Sequence, residues 1–350
     1  MESAAALTPP QRRVGLDARL TRQMSAGMKT YTTELARRLP AVAPDLAFVN
    51  FTCGGNFGWD EQVRLPLALR AARLDLVHHL TMYVPLAGPG PSIITVHDLI
   101  HLRFPQYFKA KVAPYYRTVV RRACRRARRV ITDDEATVAD LEELLQVDPA
   151  KVRVIALGAD DRFFARVEAL RRPSPQPYLL YVGNHREHKN LTTLFDAWSA
   201  LPETCALDLL LTGPDDFGGE LQRRKTPGRS IVALGDVPVE RLAEYYAGAV
   251  ALVQPALREG FGLPMLEAMA AGCPVVACAD ALPRVLAPAA LTFPARDVRA
   301  LRAIVEKLAS DEGLRMRLVN LGLETARPLT WDRCARATAD VYREVLEEAC

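Results

Sequence analysis

No run of about 18 apolar residues occurs in the 350-residue chain, and the opening Met1-Glu2-Ser3-Ala4-Ala5-Ala6-Leu7 has no basic start before an apolar stretch. Neither membrane spanning nor secretion is therefore expected. Charge of one sign is also lacking. Forty-five cations stand against 41 anions, a net charge of +4, too small an excess to imply bulk binding of nucleic acid. Lysine is scarce, at 7 of those cations, and arginine supplies the other 38. The cysteines are seven, Cys53, Cys124, Cys205, Cys273, Cys278, Cys334 and Cys350, with no C-x-x-C pair. They read as small core residues in a reducing cytoplasm. No G-x-G-x-x-G follows the first strand, which argues against a dinucleotide-dependent dehydrogenase. What is present, 49% hydrophobic and 25% charged residues, is the balance of an ordinary globular protein, and the length suggests about two domains.

Strand-like and helix-like segments alternate, which predicts mainly parallel sheets covered by helices. Val14–Asp17, Leu46–Thr52, Leu74–His78, Ile93–Val96, Val130–Thr132 and Val152–Ile155 read as strands of a first Rossmann-like domain. A loop ending at Ser25-Ala26-Gly27 opens its first helix, which Pro40 is expected to stop after Leu39. Arg171-Arg172-Pro173-Ser174-Pro175-Gln176-Pro177 disfavours both helix and central strand and reads as a linker. The alternation then restarts with Tyr178–Val182, Leu207–Leu211, Ile231–Leu234, Ala249–Val253 and Val275–Cys278. Helical stretches at about 297–308 and 332–348 close the chain without a strand between them. The expected layout is an N-terminal domain over 13–170, a linker over 171–177, a C-terminal domain over 178–328, and a last helix over 329–350 packing back over the cleft side. Ligands in such α/β folds bind beyond the carboxyl ends of the strands.

The segment Arg258-Glu259-Gly260-Phe261-Gly262-Leu263-Pro264-Met265-Leu266-Glu267 sets two carboxylates eight residues apart, one in a glycine-rich turn and one on the first turn of a following helix. Free amides there can meet hydroxyls or phosphate oxygens, and each glutamate can accept from sugar hydroxyls. A tight turn with a favourable helix dipole would explain the same residues about equally well. A second segment, Gly183-Asn184-His185-Arg186-Glu187-His188-Lys189, is a cation-rich loop after a strand. A fixed cation beside a departing diphosphate stabilises the transition state more than the ground state; a solvated basic loop is the plainer reading. A third, Val96-His97-Asp98-Leu99-Ile100-His101, ends a strand in three ionisable side chains. His97 and His101 could approach one metal, but no third ligand cluster completes a zinc site.

The first segment, with its Gly-Phe-Gly-Leu-Pro and Glu-Ala-Met-Ala-x-Gly, resembles the E-x7-E run of retaining GT-B glycosyltransferases of family 4. The His97–Phe108 stretch is similar to that of bacterial mannosyl- and rhamnosyltransferase-like members. The resemblance implies an α/β GT-B fold: two Rossmann-like domains facing each other across a cleft. It implies that Glu259, Gly260, Phe261 and Gly262 hold the transferred hexose, Glu267 the ribose, and Lys189 with Arg186 the leaving diphosphate. His97 would meet the sugar near its 6-hydroxyl or a phosphate, and Gly27, Gly183, Asn184 and Leu263 would line the donor. Lys189, Glu259, His97 and Arg186 are thus the expected catalytic set.

No cofactor and no metal is implied, since the nucleotide sugar, GDP-mannose-like or UDP/TDP-hexose, is itself a substrate. The implied partners are that nucleotide sugar and a saccharide or lipid-linked acceptor in bacterial polysaccharide synthesis, with no nucleic acid. Arg117, Arg121, Arg122, Arg125, Arg126, Arg128 and Arg129 crowd one helix and its exit. With Val112, Tyr116, Val119 and Ala123 as its core stripe they read first as a solvated face. They also suit peripheral contact of a cytoplasmic enzyme with anionic membrane at its inner face. The chain departs from the family's pattern at Asn184, Lys29 and Arg284, where arginine, glycine and glutamate are common. Those departures favour the alternative, a catalytically weak nucleotide-sugar-binding scaffold of a glycan assembly complex.

Overall fold

The computed structural model describes residues 11–164, 176–224, 226 and 228–348. Strands β1 (Arg12–Asp17), β2 (Leu46–Phe51), β3 (Leu76–His79), β4 (Ser92–Thr95), β5 (Arg129–Thr132) and β6 (Val152–Val154) form one parallel sheet, ordered β2-β1-β3-β4-β5-β6. The other holds β7 (Tyr178–Tyr181), β8 (Asp208–Leu211), β9 (Ile231–Ala233), β10 (Ala251–Gln254), β11 (Val275–Cys278) and β12 (Ala290–Phe293), ordered β12-β11-β10-β7-β8-β9. Central strands such as Tyr178-Leu179-Leu180-Tyr181 and Val275-Val276-Ala277-Cys278 are buried at every position, the pattern of a sheet covered by helices on both faces. Each sheet reverses its strand order once, between β1 and β3 and between β7 and β10. Loops at such reversals diverge and leave a crevice at the carboxyl ends of the strands. This is the expected α/β, two-domain GT-B architecture.

Four local features differ from expectation. The first helix runs Ala26–Val42, with Pro40 inside it, because Pro40 falls in the last turn and the Ala43 N–H still closes on the Leu39 carbonyl at 3.0 Å. Edge strand β12 and the helix Glu312–Ala326 were not expected. β12 is short and half-exposed, and that helix buries Leu318, Val319, Gly322 and Ala326, with Gly322 against Met269. Cys53 is exposed in the loop after β2, whereas Cys124, Cys205, Cys273, Cys278 and Cys334 are buried as expected, and Cys350 lies outside the described residues. The proposed linker also falls outside them through residue 175.

The last helix, Trp331–Glu348, crosses back to the N-terminal domain. Trp331 lies near Tyr31, with ring centroids 6.4 Å apart, and the Tyr342 hydroxyl meets His78 Nδ1 at 2.6 Å. Arg343 pairs with Asp45 at 2.7 Å, and Arg129 of β5 pairs with Glu344. The crossing needs Gly158, since a Cβ there would stand 2.1 Å from the Trp331 backbone nitrogen. Among the described residues no helix is long and apolar enough to cross a membrane.

Candidate functional site

The β7 and β10 loops flank the reversal point of the second sheet and are laced together. Gln254 Nε2 donates to the Val182 carbonyl at 2.7 Å, Asn190 Nδ2 to Pro255 at 3.1 Å, and the Leu257 N–H to His188 at 2.9 Å. Asn190 adopts a left-handed conformation, φ 55°, which ends the short turn Glu187–Lys189 and starts the helix Leu191–Ser199. This lacing brings Lys189 to Glu259, seventy residues apart in the chain: Nζ donates to both carboxylate oxygens, at 2.6 and 2.8 Å. Both side chains are mostly buried, at 13% and 12% exposure, so their attraction is offset by lost hydration, and removing one partner alone would leave a buried unpaired charge. His188 between the loops stays neutral, because burial and then the Lys189 and Arg186 charges push its pKa down to about 3.

After Glu259 the chain turns through Gly262 at φ 71°, where a Cβ would strike Met265 Cε at 2.2 Å. The helix Leu263–Ala270 follows, and the N–H groups of Phe261, Gly262 and Leu263 have no hydrogen-bond partner among the described residues. Free N–H groups at a helix start can receive an anion or a hydroxyl. Phe261 buries its ring in the core, so only its backbone can serve a ligand. Glu267 sits in the second turn rather than the first, too far along for the helix dipole to explain it. Tyr246, on the helix Val239–Gly248, donates to Glu267 Oε2 at 3.0 Å. Burial, opposed by that hydrogen bond and helped by nearby Asp160, raises the Glu267 pKa to about 7.

The N-terminal domain closes over this edge. A Cβ on Gly260 would stand 2.8 Å from the His97 carbonyl oxygen, and one on Gly27 would stand 3.5 Å from Leu263 Cδ1. The amino ends of the Ala26–Val42 and Leu263–Ala270 helices therefore face one another. Arg258 donates across the cleft to the Ala136 carbonyl at 2.9 Å and to Asp140 at 3.1 Å, and the Arg284 N–H donates to Asp134 at 3.1 Å. His97 is held by Asp133, Nδ1 to Oδ2 at 2.7 Å, with its ring edge-on to Tyr31. Its Nε2 is buried without a hydrogen-bond partner among the described residues. Burial disfavours the imidazolium, but the Asp133 charge and hydrogen bond together with the Asp98 charge outweigh it and raise the His97 pKa.

The remaining predicted residues separate. Gly183 lies under the Tyr181 hydroxyl, only 2.8 Å from where a Cβ would be, and its N–H reaches Thr212 Oγ1 at 3.1 Å. Asn184 is exposed and turns its Oδ1 to the Arg186 N–H at 3.3 Å. Arg186 is exposed and reaches neither Lys189 nor Glu259. Lys29 and Arg284 also point to solvent. His101 is structural: its Nδ1 meets the Tyr116 hydroxyl at 3.0 Å.

Two family models match the chain, "Glycosyltransferase Family 4" over residues 42–163 and "Glycosyl transferases group 1" over residues 176–311. O-antigen chain mannosyltransferase B of Escherichia coli is 29% identical over 79% of this chain and 76% of that protein. The chain belongs to the GT-B glycosyltransferases of family 4. Two solved structures share its fold: sucrose-phosphate synthase of Thermosynechococcus elongatus, and Anabaena HepE in complex with UDP and glucose. The first has a TM-score of 0.76 at 20% identity and covers 96% of this chain and 100% of that one. The second has a TM-score of 0.72 at 16% identity and covers 95% and 99%.

This glycosyltransferase also holds a buried ionic cluster that sequence reading missed. Asp17, at the end of β1, receives Arg19 Nε at 2.6 Å and meets His79 Nδ1 at 3.0 Å. Burial raises the Asp17 pKa, but the His79 and Arg19 contacts outweigh it and hold the carboxylate ionised. Arg19 also donates to the Gly55 and Tyr83 carbonyls, pinning the loops after β2 and β3. The signal was faint: a polar residue at the carboxyl end of each of two adjacent strands.

Proposed function

We propose that this glycosyltransferase is a retaining, metal-independent hexosyltransferase of bacterial polysaccharide synthesis. The donor is a nucleoside-diphosphate hexose, GDP-mannose-like or UDP/TDP-linked, and the acceptor a glycan or lipid-linked saccharide. The observation that carries this reading is the Lys189–Glu259 pair set just before the unpartnered amino end of the Leu263–Ala270 helix, which Gly27 at the start of the Ala26–Val42 helix approaches from the other domain, an arrangement suited to a diphosphate. In the resting protein Glu259 neutralises Lys189. Donor binding exchanges partners: Lys189 turns to the diphosphate, the Glu259 carboxylate and the turn amides to the hexose hydroxyls, and Glu267 to the ribose. The bond from the anomeric carbon to phosphate oxygen then breaks while the acceptor oxygen bonds on the same face. The acceptor proton passes to the departing phosphate oxygen, and Lys189 stabilises the charge that develops.

Two readouts test the reading. The anomeric configuration of the product, followed by NMR with a chelator present, should match that of the donor; inversion or loss of turnover with the chelator overturns it. Lys189→Ala should raise the barrier by roughly 2.7–4 kcal/mol, the scale of losing one electrostatic stabiliser. Near-normal turnover at saturating donor would remove Lys189 from the mechanism.

The proposal includes work at the inner face of the cytoplasmic membrane. Phe57 and Trp59 are 53% and 70% exposed, and Leu86 is 48% exposed. Phe57 packs on Tyr83 and Tyr115, and Arg126 holds the Leu86 carbonyl at 2.9 Å, so exposed Arg117, Arg122, Arg125 and Arg126 lie beside this apolar edge. Aromatic side chains flanked by arginines suit an anionic bilayer surface.

A further inference from the structure

A cavity of about 370 Å³ opens beside the donor site, lined by Tyr107, Arg186, Glu187, Phe217, Glu220 and Arg296 among others. That size lies at the lower end of the range for small-molecule sites, about 300–1,000 Å³. We propose that it is a second carbohydrate subsite, holding the acceptor sugar next to the one that receives the hexose. The inference rests on the transferase reading above and adds the place and chemical class of the acceptor's second ring.

Position comes first. Glu267 rests on the Val239–Gly248 helix, whereas the cavity is walled by Leu191, Thr192 and Phe195 of the Leu191–Ser199 helix. Lys189 and Glu259 adjoin the cavity: Arg186, Glu187 and Asn190 of its lining flank Lys189 in the chain, and Leu257 precedes Glu259 by two residues. A donor with its ribose at Glu267 and its hexose at Glu259 thus leaves this cavity for what lies beyond the reacting centre.

The lining selects a neutral polyhydroxyl ligand. Tyr107 and Phe217 offer apolar surface for a sugar ring above the buried Phe195, and Asn190, Thr192, Glu187 and Glu220 offer polar edges. Arg186 and Arg296 share the lining with Glu187, and Glu220 is held by Arg224 at 2.9 Å, so carboxylates interleave with the cations, unlike a phosphate site, where cations would prevail. Arg186 makes no side-chain hydrogen bond or ion pair among the described residues, which leaves its donors for a ligand.

The cavity also depends on both domains. Arg296 holds φ 62°, a conformation that costs a side-chain-bearing residue, and its guanidinium donates to the Tyr107 hydroxyl of the opposite domain at 3.1 Å. Strain kept at a cleft-spanning contact fits a ligand clamp rather than a passive loop.

Arg296→Gly is the decisive variant, because glycine accepts the same backbone conformation while the side chain is lost. Phe217→Ala removes an apolar wall independently. Calorimetric titration would use the full chain saturated with GDP or UDP, whichever binds. The probes are α- and β-linked manno- and rhamno-disaccharides, the corresponding methyl monosaccharides, and inorganic phosphate. A disaccharide should bind, the monosaccharide at least tenfold more weakly, and both variants should weaken the disaccharide about tenfold while changing nucleotide affinity less than twofold. Absence of disaccharide binding, equal binding by the variants, or phosphate competing for the cavity would each overturn the proposal. Failure of the transferase reading would show separately, as no binding of any nucleotide sugar.

Discussion

At the residue scale, the two glutamates that look alike in the sequence have opposite electrostatic lives. Glu259 is a carboxylate paired with Lys189, while Glu267 lies against Tyr246 with a pKa raised to about 7. Under the proposed roles, Glu267→Ala should weaken both free nucleoside diphosphate and intact donor. Glu259→Ala should weaken only the intact donor, and it should hold free diphosphate at least as tightly as the native protein, because Lys189 loses its competitor. Equal effects of both substitutions on both ligands, measured by calorimetry, would sink the assignment. Stability should follow the same difference. A folded pKa raised above the ordinary 4.5 means that the protonated Glu267 favours the native state below about pH 4.5, and that this contribution is lost as pH rises through about 7. Glu267→Gln should therefore flatten the decline of stability between pH 4.5 and 7 in urea melts, and parallel profiles would show that the carboxyl is already ionised.

The elements that make the site are turns closed by glycine more than long helices. Gly260 is one contact point of the two domains, and a methyl group there would meet a backbone carbonyl, which cannot swing aside. Gly260→Ala should leave folding of each domain intact and disfavour closure by about 1–3 kcal/mol, the cost of overpacking a tight contact. Small-angle scattering with saturating donor should then give a larger radius than the native protein, together with lower turnover. An unchanged radius and rate would mean that the Gly260–His97 approach is not needed for catalysis. The same element explains what composition could not: Leu263–Ala270 is short and apolar, yet its amino end is left free because Gly262 enters it left-handed.

At the scale of the whole molecule, the two domains are tied twice, by the last helix and by Arg258, Arg284 and Arg296. The exposed aromatic edge of Phe57 and Trp59 lies on the N-terminal domain, so its use as a membrane contact would leave the C-terminal domain free to open and reload. The proposed docking predicts that the native protein floats with vesicles rich in anionic phospholipid and not with zwitterionic ones. Trp59→Ala with Arg122→Ala should cut that association at least fivefold while leaving turnover on a soluble acceptor unchanged. Equal flotation with both vesicle types, or none with either, would remove the membrane from the account.

Much of this was legible in the chain. Strand positions followed from short apolar runs closed by glycine, and the glutamate pair, Lys189, Gly27 and His97 stood at carboxyl ends of strands or at a helix start, where parallel sheets place their ligands. Strand β12 and the Glu312–Ala326 helix were not legible, because a half-exposed edge and a weakly patterned surface carry little periodic signal. Local sequence also could not reveal partners fixed by distance. Glu259 meets Lys189 only because two loops are laced at a sheet reversal, Glu267 meets Tyr246 only because two helices share one face, and Arg296 meets Tyr107 only when the domains meet. The sequence by itself determined which charged and glycine residues stand at strand ends and helix starts beside the cleft. The tertiary structure decided their charge states and partners, since burial and long-range contact set the cost of ionisation and no spacing along the chain encodes either.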